Sequence, residues 1–261
     1  MTLQTFFQHN PKVAVAFSGG TDSAFLLYAA RQYAKDVHAY YVRSAFQPQF
    51  EYNDAVELAK HLDVSLTVIQ ADVLSSPVVT ENPPDRCYHC KKVIFSKIVE
   101  AATHDRFLVL LDGTNASDDA SDRPGMKTLQ ELKVLSPLRE CGLTKNQIRA
   151  LSKEAGLFTW NKPAYACLAT RIPTGVQITD ERLSKTERAE NFLMSLGFSD
   201  FRVRMIVEGN GSANTPRPRE HARLQIKKSQ LPLLIENREQ IILQLKKDYD
   251  SVLFDLETRD E

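Results

Sequence analysis

The stretch Ser18-Gly19-Gly20-Thr21-Asp22-Ser23 decides how the chain reads. An apolar β-type run, Val13-Ala14-Val15-Ala16-Phe17, leads into it, and a helical run from Ala24 to Tyr33 follows. A strand that turns through two glycines into a helix directs several backbone N–H groups at one point, where the helix dipole also favours negative charge. That geometry is a seat for phosphate. A Walker-type loop requires Gly-x-x-x-x-Gly-Lys-[Ser/Thr], and no lysine stands here to hold a γ-phosphate. Short side chains surround the turn instead: Ser18 and Ser23 can donate to phosphate oxygens, and Asp22 can cap the helix or hold a magnesium ion. The plainer alternative is a glycine turn that only starts a helix.

The Ser-Gly-Gly-x-Asp-Ser pattern resembles the loop of the PP-loop ATP pyrophosphatases, which grip the pyrophosphate that leaves when ATP is split at its α-phosphorus. Outward from the loop, strand-like and helix-like runs alternate: a strand at Val37–Val42, a helix over about 52–62, a strand at 65–71, a helix over about 90–103 and a strand at 107–111. A short strand at 134–137 and a helix at 145–155 come next. This order predicts an α/β fold, a parallel sheet with helices on both faces, whose ligands bind at the carboxyl ends of the strands. The polar run Asp112-Gly113-Thr114-Asn115-Ala116-Ser117-Asp118 is expected to form a second wall of the site, and Gly113 counts among its nucleotide-binding residues. Residues 1–175 are read as this domain and 176–261 as a smaller α/β domain for substrate binding or oligomerisation. The smaller domain is expected to hold a helix (179–196), strands (201–207 and 221–227), a long helix (230–247) and a last strand (251–256).

The chain has 261 residues, enough for a main domain and a companion, with 43% hydrophobic and 25% charged residues. Lysine plus arginine and aspartate plus glutamate both number 33, so no basic excess argues for nucleic acid and a small substrate is favoured. No stretch has the length and apolarity of a signal sequence or a membrane span, which predicts a cytoplasmic protein. In a reducing compartment the four cysteines are not expected to pair.

Cys87 and Cys90 have the Cys-x-x-Cys spacing that brings two thiolates to one metal or cluster, and Cys167 could supply a third. Three thiolates suit a [4Fe-4S] cluster with one open iron, a zinc site could recruit His89, and a redox pair or unrelated cysteines remain open. Arg202 and Arg204 flank Val203, so period two puts both guanidiniums on one strand face, where they could fork a phosphate or lie solvated. Glu190, on the preceding helix, could orient them. Lys91, Lys92 and Arg123 are cations near the phosphate edge, while Asp118, Asp119 and Asp122 could add to magnesium binding or simply form an acidic turn.

Taken in order, the loop at 18–23, Arg86-Cys87-Tyr88-His89-Cys90-Lys91, Asp112-Gly113-Thr114-Asn115, Arg123-Pro124-Gly125, Trp160-Asn161-Lys162-Pro163-Ala164, Ala166-Cys167-Leu168-Ala169-Thr170-Arg171 and Leu196-Gly197-Phe198 to Arg202-Val203-Arg204 resemble the LarE family. The likeness runs from about residue 12 to about 227. It implies an adenine nucleotide α-hydrolase fold and ATP-dependent sulfur transfer in nickel-pincer nucleotide cofactor synthesis. A carboxylate of a pyridinium dicarboxylate mononucleotide would attack the α-phosphate of ATP, and sulfur would replace AMP to give a thiocarboxylate. The resemblance implies ATP; the residues expected to bind it are Ser18, Gly19, Gly20, Asp22, Ser23, Lys91, Gly113 and Arg123, with magnesium at Asp22. It makes Cys167 the sulfur-handling cysteine, Glu190 an acidic site residue, and Arg202 and Arg204 ligands of the substrate phosphate.

One branch of the family sacrifices a single cysteine at the Cys167 position. The other, which this chain resembles, has three, here Cys87, Cys90 and Cys167, and holds a [4Fe-4S] cluster whose open iron can carry hydrosulfide, with sulfide or another sulfur donor as partner. The insert from Glu208 to Arg219 and the ending Phe254 to Glu261 depart from the family pattern, which bears on the substrate and on any homo-oligomer contact. The competing readings are a PP-loop tRNA thiolase with a cluster, an ammonia-using amide-forming synthetase, and a zinc-stabilised nucleotide-binding module.

Overall fold

The structure, a computed structural model, describes residues 1–118, 124–209 and 218–259. The chain divides into two compact units, Met1–Val73 with Asp85–Lys162, and Leu74–Pro84 with Pro163–Glu261. It begins with α1 (Leu3–His9), β1 (Lys12–Ala16), α2 (Thr21–Tyr33), β2 (Asp36–Arg43), α3 (Gln49–His61) and β3 (Leu66–Gln70). The short helix α4 (Pro77–Thr80) belongs to the second unit. The first unit resumes with α5 (Arg86–His104), β4 (Leu110–Leu111), α6 (Pro124–Glu131), α7 (Pro137–Glu140) and α8 (Lys145–Glu154).

The four strands form a parallel sheet in the order β3-β2-β1-β4, flanked by helices. Strand β1 lies inside this order, and its Val13, Ala14 and Val15 are fully buried, as a strand covered on both faces requires. Phe6 and Phe7 of α1, Leu26 and Leu27 of α2, Leu58 of α3, Leu138 of α7 and Ile148 of α8 complete the core. Each such buried side chain contributes about 1.5–3 kcal/mol by leaving water. The crossing order leaves the glycine loop at the carboxyl end of an interior strand, with its backbone anchored by the ladder on either side.

Several elements differ from the sequence reading. The strand expected over 107–111 contracts to Leu110–Leu111, the pair in register with Ala14 and Val15. The strand expected at 134–137 is a single bridge between Leu111 and Leu135, because Pro137 has no N–H for a ladder and instead opens α7 at its first turn. Helix α6, which opens at Pro124 and Gly125, has no counterpart in the sequence reading. Its Gly125, Thr128 and Leu129 are buried at helical spacing, and the Thr128 hydroxyl donates to the Tyr88 carbonyl of α5 at 3.3 Å. Helix α1 has no counterpart in the sequence reading; Thr2 caps it, accepting from the Thr5 amide.

In the second unit α9 (Asp180–Ser195) is capped by Thr179 and carries Asp180 and Glu181 in its first turn. It is followed by β5 (Arg202–Glu208), β6 (Arg219–Gln225), α10 (Leu231–Glu236), α11 (Arg238–Leu245) and β7 (Ser251–Phe254). The sheet order is β5-β6-β7, antiparallel then parallel. Leu193 of α9, Val203 and Met205 of β5, Leu224 of β6 and Ile241 and Leu245 of α11 form its core. The long helix expected at 230–247 breaks at Asn237, whose side-chain amide donates to the Leu233 carbonyl at 2.8 Å and so competes with the helix's own ladder. Of the insert Glu208–Arg219, residues 210–217 lie outside the described residues. No helix among the described residues is long and apolar enough to cross a membrane.

A buried charge cluster joins α9 to β6. Burial pushes the Glu220 carboxyl up, but hydrogen bonds from Lys185 and from Arg182 (Nε to Oε1, 2.8 Å) outweigh it and hold the group below its ordinary value. A depressed native-state pKa stabilises the fold above the unfolded value, and the contribution is lost as pH falls through the native one. Glu220→Gln is therefore expected to lower the urea midpoint at neutral pH and to converge on the parent protein as pH falls below about 4.5. A midpoint difference that stays constant down to pH 3 would contradict this assignment.

Candidate nucleotide and anion sites

The glycine loop closes on itself. Gly19 has φ +74°, and a Cβ there would stand 3.1 Å from both the Ala55 Cβ and the Glu51 carbonyl, so this position needs glycine for conformation and for space. The Ser18 and Ser23 hydroxyls lie 3.0 Å apart, the Ser18 amide donates to Ser23 Oγ, and Ser23 Oγ donates to the Gly20 carbonyl. Gly20 is the N-cap of α2 and supplies no side-chain acceptor, which leaves the orphan amides of the first turn to an incoming anion. Thr21 ties the turn to the body of the unit, its hydroxyl donating to the Thr159 carbonyl at 2.8 Å.

The run 112–118 forms the adjoining wall. A Cβ on Gly113 would sit 2.9 Å from the Ser23 amide nitrogen, so backbone packs directly on the first turn of α2. Asp112 accepts from Thr114 and, at 2.5 Å, from Ser136, and the Asn115 amide donates to Asp118 at 3.0 Å. Asp22 accepts from Lys145 Nζ at 2.6 Å through Oδ2, while its Oδ1 is buried with no hydrogen-bond partner among the described residues. A carboxylate oxygen left bare beside a phosphate seat suits a hard divalent cation such as magnesium. Lys162, 12% exposed, pairs with Asp54 at 2.7 Å and donates to the Gly19 carbonyl at 3.3 Å. Nothing in sequence spacing singles out Lys145 or Lys162 for these contacts, which join positions 123 and 143 residues apart.

Cys87 and Cys90 lie in the first turns of α5, Cys87 exposed and Cys90 half-buried, and Arg86 donates to the Cys87 sulfur at 3.7 Å. Cys167, half-buried, lies in the second unit just before a short 3-10 helix (Leu168–Arg171). All four cysteines are thiols rather than disulfides. Among the described residues no group of three or more His, Cys, Asp or Glu side chains is arranged to hold a metal ion. Thiols at the Cys-x-x-Cys spacing of Cys87 and Cys90 are of the kind that iron–sulfur clusters take as ligands. Lys91 runs its stem along Gly125 of α6. Arg123, together with Asp119 and Asp122, lies outside the described residues.

The second unit carries its own cationic cluster. On β5, Val203 and Met205 enter the core and Arg202 and Arg204 take the opposite face. Arg202 is 6% exposed and donates to the carbonyls of Phe201 (2.6 Å) and Ala164 (2.5 Å). Arg204 donates to Gln225 Oε1 (2.6 Å) and the Thr170 carbonyl (3.0 Å). Burial first, and then the like charges of Arg171 and Arg259, lower the Arg202 guanidinium to about 10; Arg204 is lowered by burial and then by Arg171, Arg223 and Arg259. Glu190 is fully buried and accepts from Arg171 Nε (2.7 Å) and Nη2 (3.0 Å), from the Val203 amide (2.9 Å) and from the Tyr165 hydroxyl. The Tyr165 ring lies 4.7 Å from the Arg171 guanidinium and 5.5 Å from that of Arg202. One buried carboxylate thus compensates Arg171, and the crowding that remains at Arg202 and Arg204 is of the kind a bound anion relieves. Arg171 and Tyr165 are members of this cluster that spacing alone does not identify.

The fold and the glycine loop together define a PP-loop protein of the adenine nucleotide α-hydrolase type. The family model for queuosine biosynthesis protein QueC matches residues 12–81, a span that opens with β1 and the loop. Over 205 residues the chain is 34% identical to the pyridinium-3,5-bisthiocarboxylic acid mononucleotide synthase of Lactiplantibacillus plantarum, covering 78% of this chain and 74% of that one. An uncharacterised protein of Synechocystis is 34% identical over 206 residues, 77% of this chain and 76% of its own. The tRNA-specific 2-thiouridylase MnmA of Thermotoga petrophila is 23% identical over 193 residues, 58% of this chain and 54% of its own. The chain belongs to the LarE family of PP-loop, ATP-dependent sulfur transferases.

Proposed function

We propose that this enzyme adenylates a carboxylate of a pyridinium dicarboxylate mononucleotide with ATP, releases pyrophosphate, and replaces AMP with sulfur to give a thiocarboxylate. The observation that carries the reading is the seat at the end of β1: orphan amides of α2 behind Gly19 and Gly20, with Asp22 Oδ1 bare beside them. A carboxylate oxygen attacks the α-phosphorus, and the electron pair of the broken P–O bond stays on pyrophosphate. Charge develops where the loop amides and the positive end of α2 already point, and fixed donors that meet developing charge lower a barrier without having to reorganise. Magnesium on Asp22 would add charge neutralisation there. Arg202 and Arg204 are the proposed holders of the substrate phosphate, with Glu190 keeping Arg171 and β5 in place behind them.

Cys87, Cys90 and Cys167 are the proposed ligands of a [4Fe-4S] cluster. When bound, the cluster would present hydrosulfide taken from a sulfide or other sulfur donor. Cys167 stands where its backbone carbonyl accepts from the Thr170 hydroxyl at 2.8 Å, which fixes the turn that carries the thiol.

Incubation of the anaerobically purified enzyme with ATP and the dicarboxylate mononucleotide is expected to give AMP and pyrophosphate; ADP in their place would defeat the α-phosphorus assignment. Iron and sulfide contents near one cubane per chain, lost in Cys87→Ser, Cys90→Ser or Cys167→Ser, are expected from the cluster assignment. Zinc instead of iron would refute it. Salt-dependent tRNA binding would move the reading toward a thiolase of the MnmA kind, against which the equal counts of 33 basic and 33 acidic residues speak.

A further inference from the structure

The smaller sheet carries two donors that its own fold leaves unused. On β5 and β6 the residues Val203, Met205, Ala222 and Leu224 enter the core, and the alternate positions Arg204, Ile206, His221 and Arg223 share the opposite face. Arg204 stands directly across from Arg223, and Ile206 across from His221. Arg223 Nε and His221 Nε2 are both buried and have no hydrogen-bond partner among the described residues. His221 is 8% exposed, and its Nδ1 lies 2.7 Å from Ser251 Oγ; with that hydroxyl donating, the ring proton sits on Nε2. Each orphan nitrogen has drawn a carboxylate into ion-pair range without forming the bond: Glu208 Oε2 lies 3.4 Å from His221 Nε2, and Asp255 Oδ2 lies 3.6 Å from Arg223 Nε. Asp255 is committed to Gln225 Nε2 at 2.8 Å, and Glu208 is 65% exposed.

We propose that Arg223 and His221 form a second anion subsite, which holds the ring carboxylate of the substrate that is not being adenylated. The proposal rests on the reading of Arg202 and Arg204 as holders of the substrate phosphate. Buried N–H groups without acceptors are rare in folded proteins, and two on one sheet face mark a place where a ligand supplies the acceptor. Paired positions on neighbouring strands are about 5 Å apart and alternate positions along a strand about 7 Å, so the subsite lies one aromatic ring away from Arg204. Leu253, in register with Arg223, and Ile206, beside His221, give that ring an apolar floor. The charge of the ligand group follows from the neighbours. Asp255 and Glu208 weigh against a dianion more than against a monoanion, which selects a carboxylate here and leaves the phosphate to Arg202 and Arg204. Glu208 can turn out to water as the ligand's carboxylate arrives, and the buried donors are then satisfied. No bond is made or broken at this subsite; it fixes which way round the ring lies.

Calorimetric titration of the full chain, without ATP, compares two probes: the pyridinium-3,5-dicarboxylate mononucleotide, and the pyridinium-3-carboxamide mononucleotide, which has the phosphate and no carboxylate. Arg223→Met and His221→Phe, which keep volume and lose the donors, are each expected to weaken dicarboxylate binding by about tenfold or more, the range for a hydrogen bond to a charged group. Affinity for the carboxamide is expected to stay within about twofold of the parent's. Arg223→Gln takes the place of the methionine variant should that fail to fold. Arg204→Met, at the proposed phosphate holder, is expected to weaken both probes alike. Dicarboxylate binding by the Arg223 and His221 variants as tight as the parent's overturns the proposal while the phosphate reading stands. Equal losses for both probes in those variants overturn it too, because the subsite then does not read the carboxylate. An Arg204→Met protein that binds both probes as the parent does overturns the phosphate reading and the subsite with it.

Discussion

Replacing Gly113 by alanine is expected to slow pyrophosphate release by about 100-fold, the penalty for displacing reacting groups by about 1 Å, while the chain stays folded. The added methyl group would meet the Ser23 amide nitrogen at 2.9 Å and the Ser23 Cα at 3.1 Å. Both are backbone atoms of the first turn of α2, so no flexible side chain can swing away to make room. Either the wall at 112–118 retreats or the turn bearing Asp22 and Ser23 shifts, and each outcome misplaces the amides from the charge they are to meet. Overpacking of this kind costs about 1–3 kcal/mol, which a core of this extent withstands. The expected signature is thus a modest drop in melting temperature with a large drop in turnover. A variant whose turnover stays within about threefold of the parent enzyme would show that Gly113 does not position the phosphate seat.

The largest loss of stability is expected from Glu190→Ala, about 3–5 kcal/mol by urea unfolding of the second unit. Arg171 is 1% exposed, and Glu190 supplies the charge that lets it remain buried; burial alone would push the guanidinium down, yet the Glu190 hydrogen bonds and charge raise it above its ordinary value. Removing the carboxylate strands a buried cation and leaves the Val203 amide and the Tyr165 hydroxyl without their acceptor. Glu190→Gln, which keeps an acceptor for Val203 but not the charge, should fall between the two. Replacing both partners, Glu190→Leu with Arg171→Met, should recover much of the stability, because the cost lies in the unpaired charge rather than in the pair's absence. Equal stability of Glu190→Ala and the parent protein, with turnover alone reduced, would mean that Glu190 acts on the substrate rather than as the support of Arg171 and β5.

Much of this architecture is legible one residue at a time. The parallel sheet follows from apolar runs such as Val13–Phe17 alternating with helical periods, and the phosphate seat follows from two glycines between such a strand and helix. Local chemistry defeated the reading where a neighbouring residue overrides periodicity. Pro137 turns an expected strand into a helix start, Asn237 breaks an apolar helical run, and Gly125 disguises a helix whose buried face is packed on α5. The ordered motifs from 18–23 to 202–204 placed the chain in its family before any contact was visible.

The sequence by itself determined the local features: a glycine loop between strand and helix, the Cys-x-x-Cys spacing of Cys87 and Cys90, and paired arginines on one strand face. Those features are short-range, set by neighbours one to five positions apart, and period and spacing report them directly. Only the tertiary structure decided which charges meet. Lys145 reaches Asp22 across 123 residues, Lys162 reaches Gly19 across 143, and Glu190 is committed to Arg171 and the Val203 amide rather than left open. Such partners are chosen by packing and by the need to satisfy every buried charge, conditions that exist only once the sheet has brought distant segments together.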